Sequence, residues 1–93
     1  MKAELITRRR IELSNGCFIE MIAWRVPASV TGSKHQFKYR FAYIEGDVCV
    51  LRYDNEAGKG DHKHIDDREF GYSFVSLEQL IEDFLAEVRT FRK

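Results

Sequence analysis

The chemistry-bearing residues crowd into one stretch. Arg52-Tyr53-Asp54-Asn55-Glu56 is followed closely by Gly58-Lys59-Gly60-Asp61-His62-Lys63-His64. Nowhere else in the 93 residues do His, Lys, Asp, Arg and Tyr gather so densely. If His62 and His64 lie on a strand, both rings project from one face, because successive side chains alternate. Two imidazoles titrating near neutrality can take and return a proton at pH 7. In that reading His62 and His64 are base and acid, and Lys63 adds cationic charge at the reacting centre. Arg52, Tyr53, Asp54, Lys59 and Asp61 form the expected substrate-binding set. Arg52 suits a bidentate phosphate contact, and Tyr53 suits stacking on a base. Asp54 shares a face with Arg52 and can pair with it. A second reading makes His62, His64 and Asp66 a three-ligand metal site. A third leaves the histidines as ordinary surface residues of a charged loop. Gly58-Lys59-Gly60 could bring backbone N–H groups to a phosphate, or serve only as a turn. It is not a P-loop, since no Lys-Ser/Thr spacing and no helix follow it.

The elements that must position these residues read as strands first and a helix last. Residues 3–13 and 17–26 are extended runs separated by Ser14-Asn15-Gly16, and an Asn-Gly step between such runs is a strong hairpin signal. A plain two-residue turn sets Leu13 opposite Phe18 and Ile11 opposite Glu20. It leaves Cys17, Ile19, Met21 and Ala23 on the same face as Arg8 and Arg10. Pro27 ends the second strand. In residues 37–44, Phe37, Tyr39, Phe41 and Tyr43 alternate with Lys38, Arg40, Ala42 and Ile44, the period of a strand. Glu45-Gly46-Asp47 is a turn, and residues 48–53 form a further strand. Residues 54–71 read as a charged loop with a short extended piece near residues 62–65, and Tyr72-Ser73-Phe74 as a short last strand. Ser76 with Gln79 has capping-box spacing, and Val75 with Leu80 that of a hydrophobic staple. Leu77, Leu80, Ile81, Phe84, Leu85, Val88 and Phe91 fall on one helical face. The expected fold is α+β: an antiparallel meander of four to five strands, with one C-terminal helix over residues 76–92 packed on one face. The chain, 1–93, is a single domain.

Composition bounds the function. Fifteen basic residues balance fifteen acidic ones, which excludes a nucleic-acid binder working by bulk charge. The balance hides a segregation. Residues 1–60 hold ten basic and seven acidic residues (+3), and residues 61–93 hold five and eight (−3). If Arg8 and Arg10 share a face with Lys38 and Arg40, a basic stripe interleaved with aromatics results, suited to single-stranded RNA. The other outcome is a solvated sheet face whose charges discourage aggregation. No run is long enough to span a membrane, and no secretory pattern opens the chain, so a cytoplasmic protein is expected. Cys17 and Cys49 are expected to be free. One helix covers one sheet face only, so a second copy or a partner is expected on the other.

Several motifs together resemble one family. They are Lys2-Ala3-Glu4-Leu5, Ile22-Ala23-Trp24-Arg25-Val26-Pro27, Lys38-Tyr39-Arg40-Phe41-Ala42-Tyr43, the Arg52–Glu56 and Gly58–His64 stretches, Ser76-Leu77-Glu78-Gln79-Leu80 and Asp83-Phe84. The chain resembles the TumE family from end to end. That resemblance implies the toxin half of a bacterial type II toxin–antitoxin pair, held by a small helix-turn-helix antitoxin. Three functional classes follow as expectations: a metal-independent endoribonuclease without cofactor, a non-catalytic module that binds the antitoxin, and a metal-dependent hydrolase.

Overall fold

The computed structural model describes residues 2–56 and 58–92. Six strands and one helix follow in chain order: β1 (Glu4–Glu12), β2 (Cys17–Arg25), β3 (Phe37–Glu45), β4 (Val48–Asp54), β5 (His62–Ile65), β6 (Arg68–Gly71) and α1 (Leu77–Phe91). The strands pair in sequence order as one antiparallel sheet. The α+β meander with a C-terminal helix is as expected, with six strands rather than four or five. The extra strand comes from the stretch read as a charged loop. Residues 62–71 form a hairpin, in which Ile65 pairs with Arg68 across the Asp66-Asp67 turn. Asp66 takes φ 55°, a left-handed conformation that Asp tolerates better than most residues. Tyr72–Phe74 carries no strand.

The first hairpin differs by one residue from a plain two-residue turn. Asn15 and Gly16 have φ 62° and 72°, and the Cys17 N–H donates to Ser14 O at 3.3 Å, the backbone of a tight turn with two left-handed residues. The Leu13 N–H, however, donates to Cys17 O at 2.8 Å, so Leu13 and Ser14 both lie against Cys17. Ile11 therefore faces Ile19, and Arg10 faces Glu20. A slip of one residue exchanges faces. Ile11 joins Cys17, Ile19, Met21 and Ala23, while Arg8 and Arg10 move to the opposite side. Cys17, Ile19 and Met21 belong to the buried core, and Phe18, Ile22 and Trp24 lie on the opposite face with Arg8 and Arg10.

The helix supplies the cover. Leu80, Phe84 and Val88 are buried against Tyr39, Phe41, Tyr43, Leu51 and Tyr53. The Phe84 ring stands edge-on to Phe41 at 5.6 Å and to Tyr53 at 5.7 Å. Each such buried side chain contributes about 1.5–3 kcal/mol. Ser76 caps the helix, its hydroxyl accepting from the Gln79 N–H at 3.0 Å. The reciprocal half of the capping box is missing, because the Gln79 side chain donates to Asp83 instead. The staple is missing too, since Val75 is 76% exposed. Cys17 and Cys49 are free thiols.

Candidate functional site

Strand alternation divides the polar stretch between two sides of the sheet. Tyr53 pairs with Lys63, and both turn toward the helix. There the Glu87 carboxylate accepts from the Tyr53 hydroxyl and from Lys63 Nζ at 3.0 Å. Burial and the Glu87 contact raise the Tyr53 pKa, so its hydroxyl stays a donor. Lys63 and Tyr53, expected in the site with the histidines, are instead helix-docking residues, separated from the histidine rings by the sheet.

The helix-free side carries the rest. Two rungs cross all six strands. One runs Arg8, Ile22, Arg40, Asp54, His62, Gly71, and the next runs Arg10, Glu20, Ala42, Arg52, His64, Glu69. Trp24 and Lys38 pair on the same face. Arg8, Arg10 and Lys38, Arg40 do share a face, and the basic stripe interleaved with apolar and aromatic rings is real. Its basic end forms a depression of about 430 Å³, lined by Arg8, Arg10, Glu20, Ile22 and Arg40 among others. The Arg10 guanidinium lies 3.8 Å above the Phe18 ring, an attractive placement for a cation.

At the other end of these rungs sits a compact charged corner. Asp54 is 4% exposed and pairs with two neighbours. Arg52 Nε lies 2.6 Å from Oδ2, a close ion pair in which the N–H is not aligned for a hydrogen bond. His62 Nε2 lies 3.2 Å from Oδ1. The other His62 nitrogen, Nδ1, lies 2.9 Å from Gly60 O. Both His62 ring nitrogens thus face acceptors, and only 3% of the residue's surface is exposed. His64 differs. Its ring packs 4.8 Å from that of His62, its Nε2 is buried without a hydrogen-bond partner, and its nearest carboxylate is Glu69, 3.8 Å away. Burial, then the charges of Arg52 and His62, lower its pKa and favour the neutral ring.

Asp54, His62 and His64 bring donor atoms within 4.8 Å of one another. Asp66, expected as the carboxylate ligand, is exposed in the β5–β6 turn, and Asp54 holds the position beside the rings. A residue on the neighbouring strand, not the next residues along the chain, supplies the carboxylate.

Lys59 is exposed and pairs with Glu69 at 3.5 Å. Asp61 lies on the helix side, in a buried knot. Its carboxylate accepts from Ser33 Oγ, from the Tyr39 hydroxyl and from His35 Nε2, each at 2.7 Å. His35 Nδ1 accepts the Phe37 N–H, so both ring nitrogens have partners. Burial first, then the Asp61 contact, raises the Tyr39 pKa and keeps that hydroxyl a donor. Fully buried Asn55 completes the knot, donating to Ser33 Oγ and Phe37 O while its Oδ1 accepts the Tyr39 N–H. Asp61 is thus a scaffold residue. Ser33, His35 and Asn55 are the residues sequence reasoning missed, because no local spacing links residues 33–39 to 55–61.

Gly60 explains why the knot stays closed. A Cβ built on Gly32 would lie 2.4 Å from Gly60 N, so the two backbones touch. Gly60 is engaged in this packing and in holding His62, not in a phosphate cradle. Among the described residues no helix is long and apolar enough to cross a membrane.

No curated protein and no solved structure matches the chain. A family model described as "Toxin TumE" matches residues 2–92, nearly its whole length. The motifs that resemble this family at sequence level include Lys38 and Arg40 of the basic face and the histidine corner, and the chain belongs to the TumE toxin family.

Proposed function

We propose that this chain is the toxin of a toxin–antitoxin pair and acts as a metal-independent endoribonuclease. Single-stranded RNA lies along the helix-free face, and the corner at His64 cleaves it. The observation that carries this reading is the unpaired His64 Nε2 beside Arg52, on the same face as Arg8, Arg10 and Arg40. RNA carries its own nucleophile. His64 takes the proton of a 2′-hydroxyl, the 2′-oxygen attacks phosphorus, and the bond to the 5′-oxygen breaks. The products are a 2′,3′-cyclic phosphate and a 5′-hydroxyl whose proton comes from solvent. Arg52 and Arg40 offset the charge that builds on the phosphorane oxygens. His62 and Asp54 hold Arg52 and the His64 ring in place. Nε2 is shut off from bulk water in the free chain, so a neighbouring side chain must move for a hydroxyl to reach it.

The cognate antitoxin, expected to be a small helix-turn-helix protein, would silence the toxin by covering this face. The test is incubation of the purified chain with RNA in EDTA, with product ends identified. Cleavage with cyclic-phosphate ends is expected, and His64→Ala should slow it by about 10²-fold or more while the circular dichroism spectrum stays unchanged. Binding without cleavage, or a His64→Ala variant as fast as the parent, would overturn the catalytic reading. It would leave the face as a non-catalytic docking surface.

A further inference from the structure

The geometry points to a regulatory metal site: Asp54, His62 and His64 together capture one divalent late transition ion of the zinc class, and the ion shuts the site off. The inference rests on the cleavage reading only for its inhibitory half. Asp54 Oδ1 and His62 Nε2 are 3.2 Å apart. Two ligands of a tetrahedral zinc ion with bonds of about 2.0–2.1 Å stand about 3.3 Å apart, so this pair is already at ligand spacing. Donor atoms of all three residues lie within 4.8 Å of one another, so capture of an ion requires His64 to close on the preformed Asp54–His62 pair.

The surroundings are those of a held site. His62 Nδ1 faces Gly60 O, which fixes the ring with Nε2 turned inward, as ligating histidines are held. Arg52 occupies the far oxygen of Asp54 and leaves Oδ1 to the ion. His64 Nε2 is a buried nitrogen with no hydrogen-bond partner, a costly arrangement that a bound cation relieves. Arg52 opposes the incoming charge, while Asp54 and the Glu69 carboxylate, 3.8 Å from His64 Nε2, offset it. Two imidazoles and one carboxylate favour zinc, nickel or copper over magnesium and calcium, which take oxygen ligands. Once His64 Nε2 is bonded to metal it can no longer accept a proton, so metal-loaded protein does not cleave by the route above.

The test uses the full chain, stripped with EDTA and dialysed, then titrated with cobalt(II) by visible absorption and with zinc by calorimetry. One equivalent is expected, with a tetrahedral cobalt spectrum. Asp54→Asn and His64→Gln, both close in shape to the parent residues, should each weaken binding more than tenfold, with folding checked by circular dichroism. Cys49→Ser should leave binding unchanged, because the exposed thiol is not a ligand. No binding at one equivalent, or binding that survives both ligand substitutions, overturns the site. RNA cleavage that falls as one equivalent of zinc is added supports the inhibitory role, and cleavage indifferent to bound zinc overturns that role. Cleavage that appears only with zinc upholds the site and overturns metal-free chemistry, so the two proposals fail separately.

Discussion

Individual side chains divide here by which side of the sheet they leave from. His62 and His64 flank Lys63, and that single intervening position sends Lys63 to Glu87 and the helix. Asp61 illustrates how a charged residue near a candidate site can be wholly structural. Three donors converge on its carboxylate, which is 9% exposed. Removing it leaves the buried Tyr39 and the half-buried Ser33 and His35 without their acceptor, and a buried donor left unpaired costs about 1–3 kcal/mol. Asp61→Ala should therefore lower unfolding stability by about 3 kcal/mol or more, read from the urea midpoint. Asp61→Asn, which still accepts at one oxygen, should lose less. A loss below about 1 kcal/mol for Asp61→Ala would show that water replaces the knot.

Elements, rather than residues, hold the histidine corner in place. β5 is only four residues long. Its N-terminal end is fixed by the contact of Gly60 with Gly32, where both backbones are left-handed, with φ 87° and 89°. A side chain at Gly32 meets backbone atoms, which cannot rotate away. Gly32→Ala should cost well above the roughly 1–2 kcal/mol of a left-handed alanine, and it should slow RNA cleavage by loosening the Gly60 carbonyl that holds His62. Gly46 is the comparison: it too is left-handed, yet a Cβ there meets nothing within 4 Å. Thermal denaturation of the two variants should rank Gly32→Ala as clearly the less stable, and equal losses would rule out the backbone contact as the reason. The sequence read residues 54–71 as a loop with only a short extended piece near 62–65, and missed the β5–β6 hairpin, for a plain cause. HKHI and REFG carry little β-propensity, and the Asp66-Asp67 turn lacks the glycine that marks most hairpins. Pairing with β4 supplies what propensity does not.

For the whole molecule, the neutral total conceals two chemically distinct sides. One side is closed by the helix, and the other is a charged sheet with its cations toward β1 and its histidines toward β5. Binding to single-stranded RNA should depend on salt through the contacts of that face. Replacing Arg8 and Arg10 together by serine should weaken RNA binding and reduce the log–log salt slope by about 1–1.5, at about 0.7 per lost phosphate contact. An unchanged slope would place RNA elsewhere. Both arginines sit on an exposed edge strand, so little change in stability is expected with this pair.

The sequence by itself determined the strand periods of residues 37–44, the Asn15-Gly16 turn, the helix with its Ser76 cap, and the concentration of chemistry in residues 52–64. These are local properties: alternation, turn conformation and capping each depend on residues a few positions apart. It also determined that Arg52 and Asp54 share a face, since that follows from alternation alone. Tertiary structure decided the rest. The extra residue at Ser14 set which face Arg8 and Arg10 join, because one step of register inverts a strand. Pairing of β4 with β5 chose Asp54 over Asp66 as the carboxylate beside the histidines. Contact between Gly32 and Gly60, 28 positions apart, made Asp61 and His35 scaffold. Each of these is a long-range contact whose energy comes from burial and packing, and no short window of sequence contains both of its halves.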